Sequence, residues 1–124
     1  MGIKSFLHVK LDILDIEESL NFYCGYFNLK PICRYEIDNG AIIQLSTTGT
    51  PPGIELWYDK TYQDLPETRI HIAFEVDNVV SFTEELRSQG VEIVKDPFEI
   101  GHEVISFIRD PNGYLIELNQ DKKS

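Results

Sequence analysis

The chain has 124 residues, enough for one domain that buries its own core, and its composition is that of an ordinary globular protein. Eleven basic residues stand against 21 acidic ones, a formal net charge of −10, which argues against nucleic acid or an anionic membrane as partner. No apolar run is long enough to span a bilayer and no charged-then-apolar leader opens the chain, so the expected compartment is the cytoplasm.

In chain order, residues 5 to 13 alternate, with Leu7, Val9, Leu11 and Ile13 on one face and Phe6, His8, Lys10 and Asp12 on the other. This predicts a strand with one apolar and one mixed face. Asp15 is a plausible N-cap, and Ile16, Leu20 and Tyr23 recur at helical spacing until about Phe27, ending near Asn28. Pro31 opens a second strand to Ile37, Asp38-Asn39-Gly40 makes a hairpin turn, and Ala41 to Ser46 forms a third strand. A Pro/Gly-rich loop over Thr47 to Gly53 leads to a short fourth strand, Ile54 to Tyr58, and then to a polar connection.

The second half repeats that order. Arg69 to Val76 reads as a strand, Asp77 or Asn78 caps a helix carrying Val79, Val80, Phe82 and Leu86, and Gly90 ends it. Strands follow at Val91 to Val94, Val104 to Ile108 and Tyr114 to Asn119, with Asp96 to Gly101 read as a loop. The turn Asp110-Pro111-Asn112-Gly113 precedes the last strand, with Pro fixing φ and Asn-Gly supplying positive φ. The tail after Gln120 is polar and expected to fray.

The expected fold is therefore α+β, built as βαβββ twice: module 1 over 3–58, a linker over 59–68 and module 2 over 69–119, together one domain spanning 1–124. His8 and His71 occupy the same place in the two first strands, and Glu55 and Glu117 the same place in the two last. The offsets are 71 − 8 = 63 and 117 − 55 = 62 residues. A single strand His is more often a packed or surface residue, and a single strand Glu more often solvated. Four such residues kept in step by an internal repeat point instead to one site.

Two imidazoles and two carboxylates suit a borderline divalent ion. No thiolate joins them, since Cys24 and Cys33 have neither zinc-ligand spacing nor a disulfide framework. Four protein ligands leave room for water or substrate only around a six-coordinate ion, which favours Ni²⁺ or Co²⁺ over tetrahedral Zn²⁺, with Zn²⁺ still possible. Such an ion would also offset the acidic field for an anionic small-molecule substrate.

Phe6-Leu7-His8, Ser19-Leu20-Asn21-Phe22-Tyr23, Ile54-Glu55-Leu56, Ile70-His71-Ile72-Ala73 and Phe107 to Leu118 give the whole chain a resemblance to the vicinal oxygen chelate superfamily. Within it the pattern is most similar to glyoxalase I (lactoylglutathione lyase), mainly through Glu55, because dioxygenase and fosfomycin-modifying relatives generally use only the equivalents of His8, His71 and Glu117. The resemblance implies paired modules forming a half-open barrel-like sheet around the metal, with His8, Glu55, His71 and Glu117 as ligands. It also implies a homodimer, in which each site could lie within one chain or across the interface.

For activity, the resemblance implies isomerisation of the hemithioacetal of a 2-oxoaldehyde such as methylglyoxal and a thiol, through an enediolate, with Glu117 or Glu55 as the base. Trp57 shares the Glu55 face and Lys10 the His8 face, which makes both candidates for lining the substrate site. Glutathione-using members carry an Arg where Asp12 stands, and a paired-Gly loop where Glu99-Ile100-Gly101-His102 stands. The competing readings are a non-catalytic antibiotic-sequestering protein resembling bleomycin resistance proteins, and another metal-dependent isomerase or dioxygenase on the same scaffold.

Overall fold

The computed structural model describes residues 2–123. The architecture is α+β, with two four-stranded mixed sheets, one in each of two compact units, Met1–Pro66 and Glu67–Ser124.

In the first unit the strands are β1 (His8–Ile13), β2 (Lys30–Ile37), β3 (Gly40–Ser46) and β4 (Gly53–Asp59), ordered β1-β4-β3-β2. β1 runs parallel to β4 and the other pairs are antiparallel. Residues 5 to 7, expected in the first strand, lie outside it and are exposed; pairing starts where the Gly53 N–H reaches the Leu7 carbonyl at 3.0 Å. Helix α1 (Ile16–Leu20) begins at Asp15, whose carboxylate accepts from the Glu18 N–H at 2.8 Å. It then widens into a π-helical turn over Asn21–Tyr26. The wider turn accommodates two consecutive buried rings, Phe22 and Tyr23, which meet edge to face at 5.0 Å. Asn28, at φ 58, ends the helix where expected.

Parity in these strands separates two faces. Leu11, Ile13, Ile43, Leu45, Ile54 and Leu56 are buried and form the core with Phe22 and Tyr23. His8, Lys10, Gln44, Glu55 and Trp57 take the opposite parity. The loop between β3 and β4 is held by the buried Ser46 hydroxyl, which accepts from the Gly49 N–H at 2.8 Å.

The second unit repeats the layout with β5 (His71–Glu75), β6 (Ile93–Ile100), β7 (Glu103–Arg109) and β8 (Leu115–Asp121), ordered β5-β8-β7-β6. β5 is parallel to β8. Helix α2 (Val79–Ser88) is capped by Asn78, not Asp77: the Asn78 side chain accepts from the Ser81 N–H at 2.9 Å. Val79, Thr83 and Leu86 form its buried stripe, whereas Val80 is exposed. Thr83 is tolerated there because its hydroxyl meets the Val79 carbonyl at 2.6 Å and the Ser106 hydroxyl at 2.9 Å.

Three expectations are corrected in this unit. Of the expected loop Asp96 to Gly101 only Gly101 lies in a turn, because β6 continues through Pro97 to Ile100. Pro97 fits since β6 is an edge strand whose register shifts between Lys95 and Phe98. In the turn before β8, only Gly113 has positive φ, at 95°. The buried Asp110 carboxylate organises that turn, accepting from the Asn112 and Tyr114 N–H groups at 2.8 and 2.9 Å. The tail after Gln120 is tied down: β8 reaches Asp121, the Lys122 N–H donates to the His102 carbonyl at 2.8 Å, and the Lys122 ammonium meets Glu99 at 2.8 Å. Ser124 of that tail, like Met1, lies outside the described residues.

Candidate metal centre

Each unit carries one His–Glu pair in the same register. In the first, Lys10, two residues after His8, pairs with Glu55; in the second, Ala73, two residues after His71, pairs with Glu117. The parallel pairing thus puts each imidazole one step along the strand from its carboxylate, on the same face. His8 Nε2 lies 3.3 Å from Glu55 Oε1, and His71 Nε2 lies 3.1 Å from Glu117 Oε1. The carboxylates are the better sheltered members, with side chains 12% and 16% exposed against 31% and 42% for the histidines. Among the described residues, no third His, Cys, Asp or Glu joins either pair within its own unit.

The two carboxylates are supported differently. Glu55 Oε1 accepts from the Trp57 indole N–H at 2.5 Å, and Oε2 accepts from the Gln44 amide at 2.7 Å. The other end of that amide, Gln44 Oε1, takes the Cys33 thiol at 3.3 Å. Burial pushes the Glu55 carboxyl up, but the Trp57 and Gln44 hydrogen bonds, His8 and Lys10 outweigh it and hold the group below its ordinary value. Glu117 Oε2 accepts from the Asn119 amide at 2.9 Å. The strand neighbour opposite Glu117 is Phe107, whose ring meets His71 edge-on at 5.6 Å and stacks with Phe98 at 6.4 Å.

Trp57 and Lys10, singled out from the sequence as substrate-lining candidates, are both engaged at this site. The Lys10 ammonium sits 3.0 Å from Asp12 and 4.8 Å from the centroid of the Trp57 ring. Gln44, Asn119 and Phe107 were not singled out from the sequence. A signal existed for Gln44: it is the one polar side chain inside Ala41-Ile42-Ile43-Gln44-Leu45, as Glu55 is inside Ile54-Glu55-Leu56.

The donor set and its spacing fit a divalent ion. Two donor atoms each about 2.1 Å from one ion, at angles between octahedral and tetrahedral, stand about 3.0–3.4 Å apart; both His–Glu separations, 3.3 and 3.1 Å, fall in that span. The same geometry serves a proton shared between nitrogen and oxygen, so an ion would take the place of that proton.

Comparison with known proteins shows the family to which the chain belongs. The model of the Glyoxalase/Bleomycin resistance protein/Dioxygenase superfamily matches residues 5–118. A lactoylglutathione lyase of Neisseria meningitidis is 33% identical over 125 residues, covering 94% of this chain and 90% of its own. A probable lactoylglutathione lyase of Synechocystis is 31% identical over 123 residues, covering 92% and 93%. The solved structure of the trypanothione-dependent glyoxalase I of Leishmania major superposes with a TM-score of 0.85 at 24% identity, covering 98% of this chain and 89% of that one, which establishes the shared fold. With the family model spanning nearly its whole length, the chain belongs to the Glyoxalase/Bleomycin resistance protein/Dioxygenase superfamily.

Proposed function

We propose that this protein is a metal-dependent, glyoxalase I-like lyase that isomerises the hemithioacetal of a 2-oxoaldehyde, such as methylglyoxal, and a thiol. The observation that carries the reading is the presence of two His–Glu pairs in matching register, because the second carboxylate, Glu55, is what separates a glyoxalase-like set from a three-ligand one. The relatives named lactoylglutathione lyase support the same reaction class.

In this reading His8, Glu55, His71 and Glu117 hold one divalent ion, with Ni²⁺ or Co²⁺ preferred and Zn²⁺ possible. The ion, when bound, supplies the positive charge that stabilises an enediolate. The four ligands come either from the two modules of one chain, acting as a single domain with 59–68 as linker, or from the two chains of a homodimer working in the cytoplasm.

The protein's own groups account for the proton transfer. A carboxylate within reach of the substrate's carbon-bound proton accepts it and returns it to the neighbouring carbon, a role for which Glu117 and Glu55 are the available groups. The imidazoles of His8 and His71 stay in place as ligands, with Phe107 packed against the His71 ring to limit its rotation. The Trp57 ring offers an apolar wall on the Glu55 face, and Lys10 a cation beside it. Because Asp12 already pairs with Lys10, this face offers a glutathione carboxylate less positive charge than an Arg at position 12 would. The thiol is therefore better sought among less anionic thiols.

The test is a thiol panel. Chelator-stripped protein is reloaded with Ni²⁺ or Co²⁺ and given methylglyoxal with glutathione and with neutral or cationic thiols, while thioester formation is followed by ultraviolet absorbance. Metal-dependent thioester formation with at least one thiol is expected. Bound metal with no thioester from any thiol would point to another metal-dependent reaction of the superfamily. Absence of metal binding would leave a binding protein, to be tried with cationic antibiotics.

A further inference from the structure

We infer that Gln44 and Trp57 are positioning residues for Glu55: two neutral donors, one for each carboxylate oxygen, that fix where this side chain meets His8. The inference rests on the reading of His8 and Glu55 as metal ligands, and it concerns residues to which that reading gave no such role. Gln44 stands directly opposite Glu55 in the β3–β4 register, and Trp57 follows it by two residues on the same strand face. Both are therefore placed by sheet geometry, not by flexible loops. Their contacts, 2.7 Å from the amide and 2.5 Å from the indole, are short, as charge-assisted hydrogen bonds to an ionised acceptor should be.

The orientation of the Gln44 amide is itself determined. An amide can present either its NH₂ or its oxygen to a neighbour. Here the Cys33 thiol lies 3.3 Å from the amide oxygen, so the NH₂ end faces Glu55. Trp57 has its single donor committed to Oε1, the oxygen that also faces His8 Nε2. Oε1 is thus shared between indole and imidazole, and Oε2 belongs to Gln44. A carboxylate gripped at both oxygens loses little further freedom when an ion replaces the proton between Oε1 and His8, which favours tight binding. The counterpart in the second unit lacks one of these holds. Among the described residues, Glu117 has the i+2 donor, Asn119, but its cross-strand partner Phe107 cannot donate.

The test uses Gln44→Met, which keeps length and removes the donor, and Trp57→Phe, which keeps an aromatic ring and removes the N–H. Ni²⁺ is titrated by calorimetry into chelator-stripped wild type and variants, and the Co²⁺-loaded forms are compared by visible absorption. Each variant should bind about 10–100-fold more weakly, with a shifted Co²⁺ spectrum and an unchanged far-ultraviolet circular dichroism spectrum. A metal-free readout accompanies these. Trp57 is the only tryptophan, so its indole N–H gives one resonance, which should lie downfield in wild type and move when Gln44→Met loosens Glu55. Wild-type affinity and an unshifted Co²⁺ spectrum in both variants would overturn the inference while leaving the metal reading intact. A wild type that binds neither Ni²⁺ nor Co²⁺ would overturn both.

Discussion

The two units present the same His–Glu pair in the same register and surround it with different chemistry. Beside Glu55 stand Lys10, Gln44 and Trp57; at the equivalent places around Glu117 stand Ala73, Phe107 and Asn119. One carboxylate is gripped at both oxygens by side chains of its own sheet, and the other accepts one amide and borders an apolar ring. Repetition of a module fixes strand parity, and therefore which residues share a face within each sheet. It does not fix what lies across the strand, so the two halves are free to specialise. A duplicated site of this kind can hold one carboxylate still and leave the other more mobile.

The largest expected effect separates the two carboxylates directly. Glu117→Gln should lower kcat by about 10²–10⁴-fold, the range for removing a positioned general base, and should abolish exchange of the substrate's carbon-bound proton with deuterated solvent. The fold should persist, because Gln is isosteric and the Glu117 side chain, though sheltered, is not part of the buried core. Glu55→Gln should act more on metal affinity than on exchange once metal is saturating. If exchange vanishes in Glu55→Gln and survives in Glu117→Gln, the roles of the two sides are reversed.

A smaller effect, on stability, comes from the residues paired with the histidines. His71 stands opposite Leu115, a side chain the second unit accommodates, whereas His8 stands opposite Gly53. A Cβ on Gly53 would lie 2.0 Å from the Leu45 carbonyl oxygen and 2.9 Å from Ser46 Cβ, so β3 and β4 would have to separate. Gly53→Ala should therefore cost about 1–3 kcal/mol as an overpacking change, and shift Glu55, two residues further on, away from His8. Leu115→Ala removes half-buried apolar area without any clash and should cost about 1 kcal/mol. Urea denaturation of both variants gives the comparison. Equal costs would mean that β3 yields easily and that the glycine is not required.

The sequence made the repeat legible because a strand's period of two records parity. His8 and Glu55, like His71 and Glu117, could be assigned to a mixed face from alternation alone, and the observed faces agree. The Asp15 cap and the glycine stop at Gly90 were legible for a similar reason, since each depends on local chemistry. Features that depend on pairing across strands were not. Asp96 to Gly101 reads as a loop along the chain, whereas pairing makes most of it part of β6, an edge strand whose shifted register admits Pro97. Gln44 and Phe107 gained their places opposite Glu55 and Glu117 from loop lengths, which alternation does not encode. The π-helical turn was hidden because Ile16, Leu20 and Tyr23 also fit an ordinary helical stripe, while the burial of Phe22 beside Tyr23 is a packing outcome.

The smallest effect concerns how the two units end their first helices. The first stops on Asn28 at φ 58 and the second on Gly90 at φ 90, both in the left-handed region. Asn bears some strain there that Gly does not, but Gly also gives the unfolded chain more freedom to lose. Asn28 is exposed, so Asn28→Gly should change stability by less than about 1 kcal/mol, with stabilisation if relief of strain dominates. A Cβ on Gly90 would meet nothing within 4 Å, which makes Gly90→Ala a test of backbone strain without a clash. Its expected cost is about 1–2 kcal/mol of left-handed strain, less about 0.4–1 kcal/mol recovered from the stiffer unfolded chain. Denaturant midpoints at unchanged slope would measure both. A large loss in Asn28→Gly would show that the Asn28 side chain, and not only its backbone angle, holds the end of the first helix.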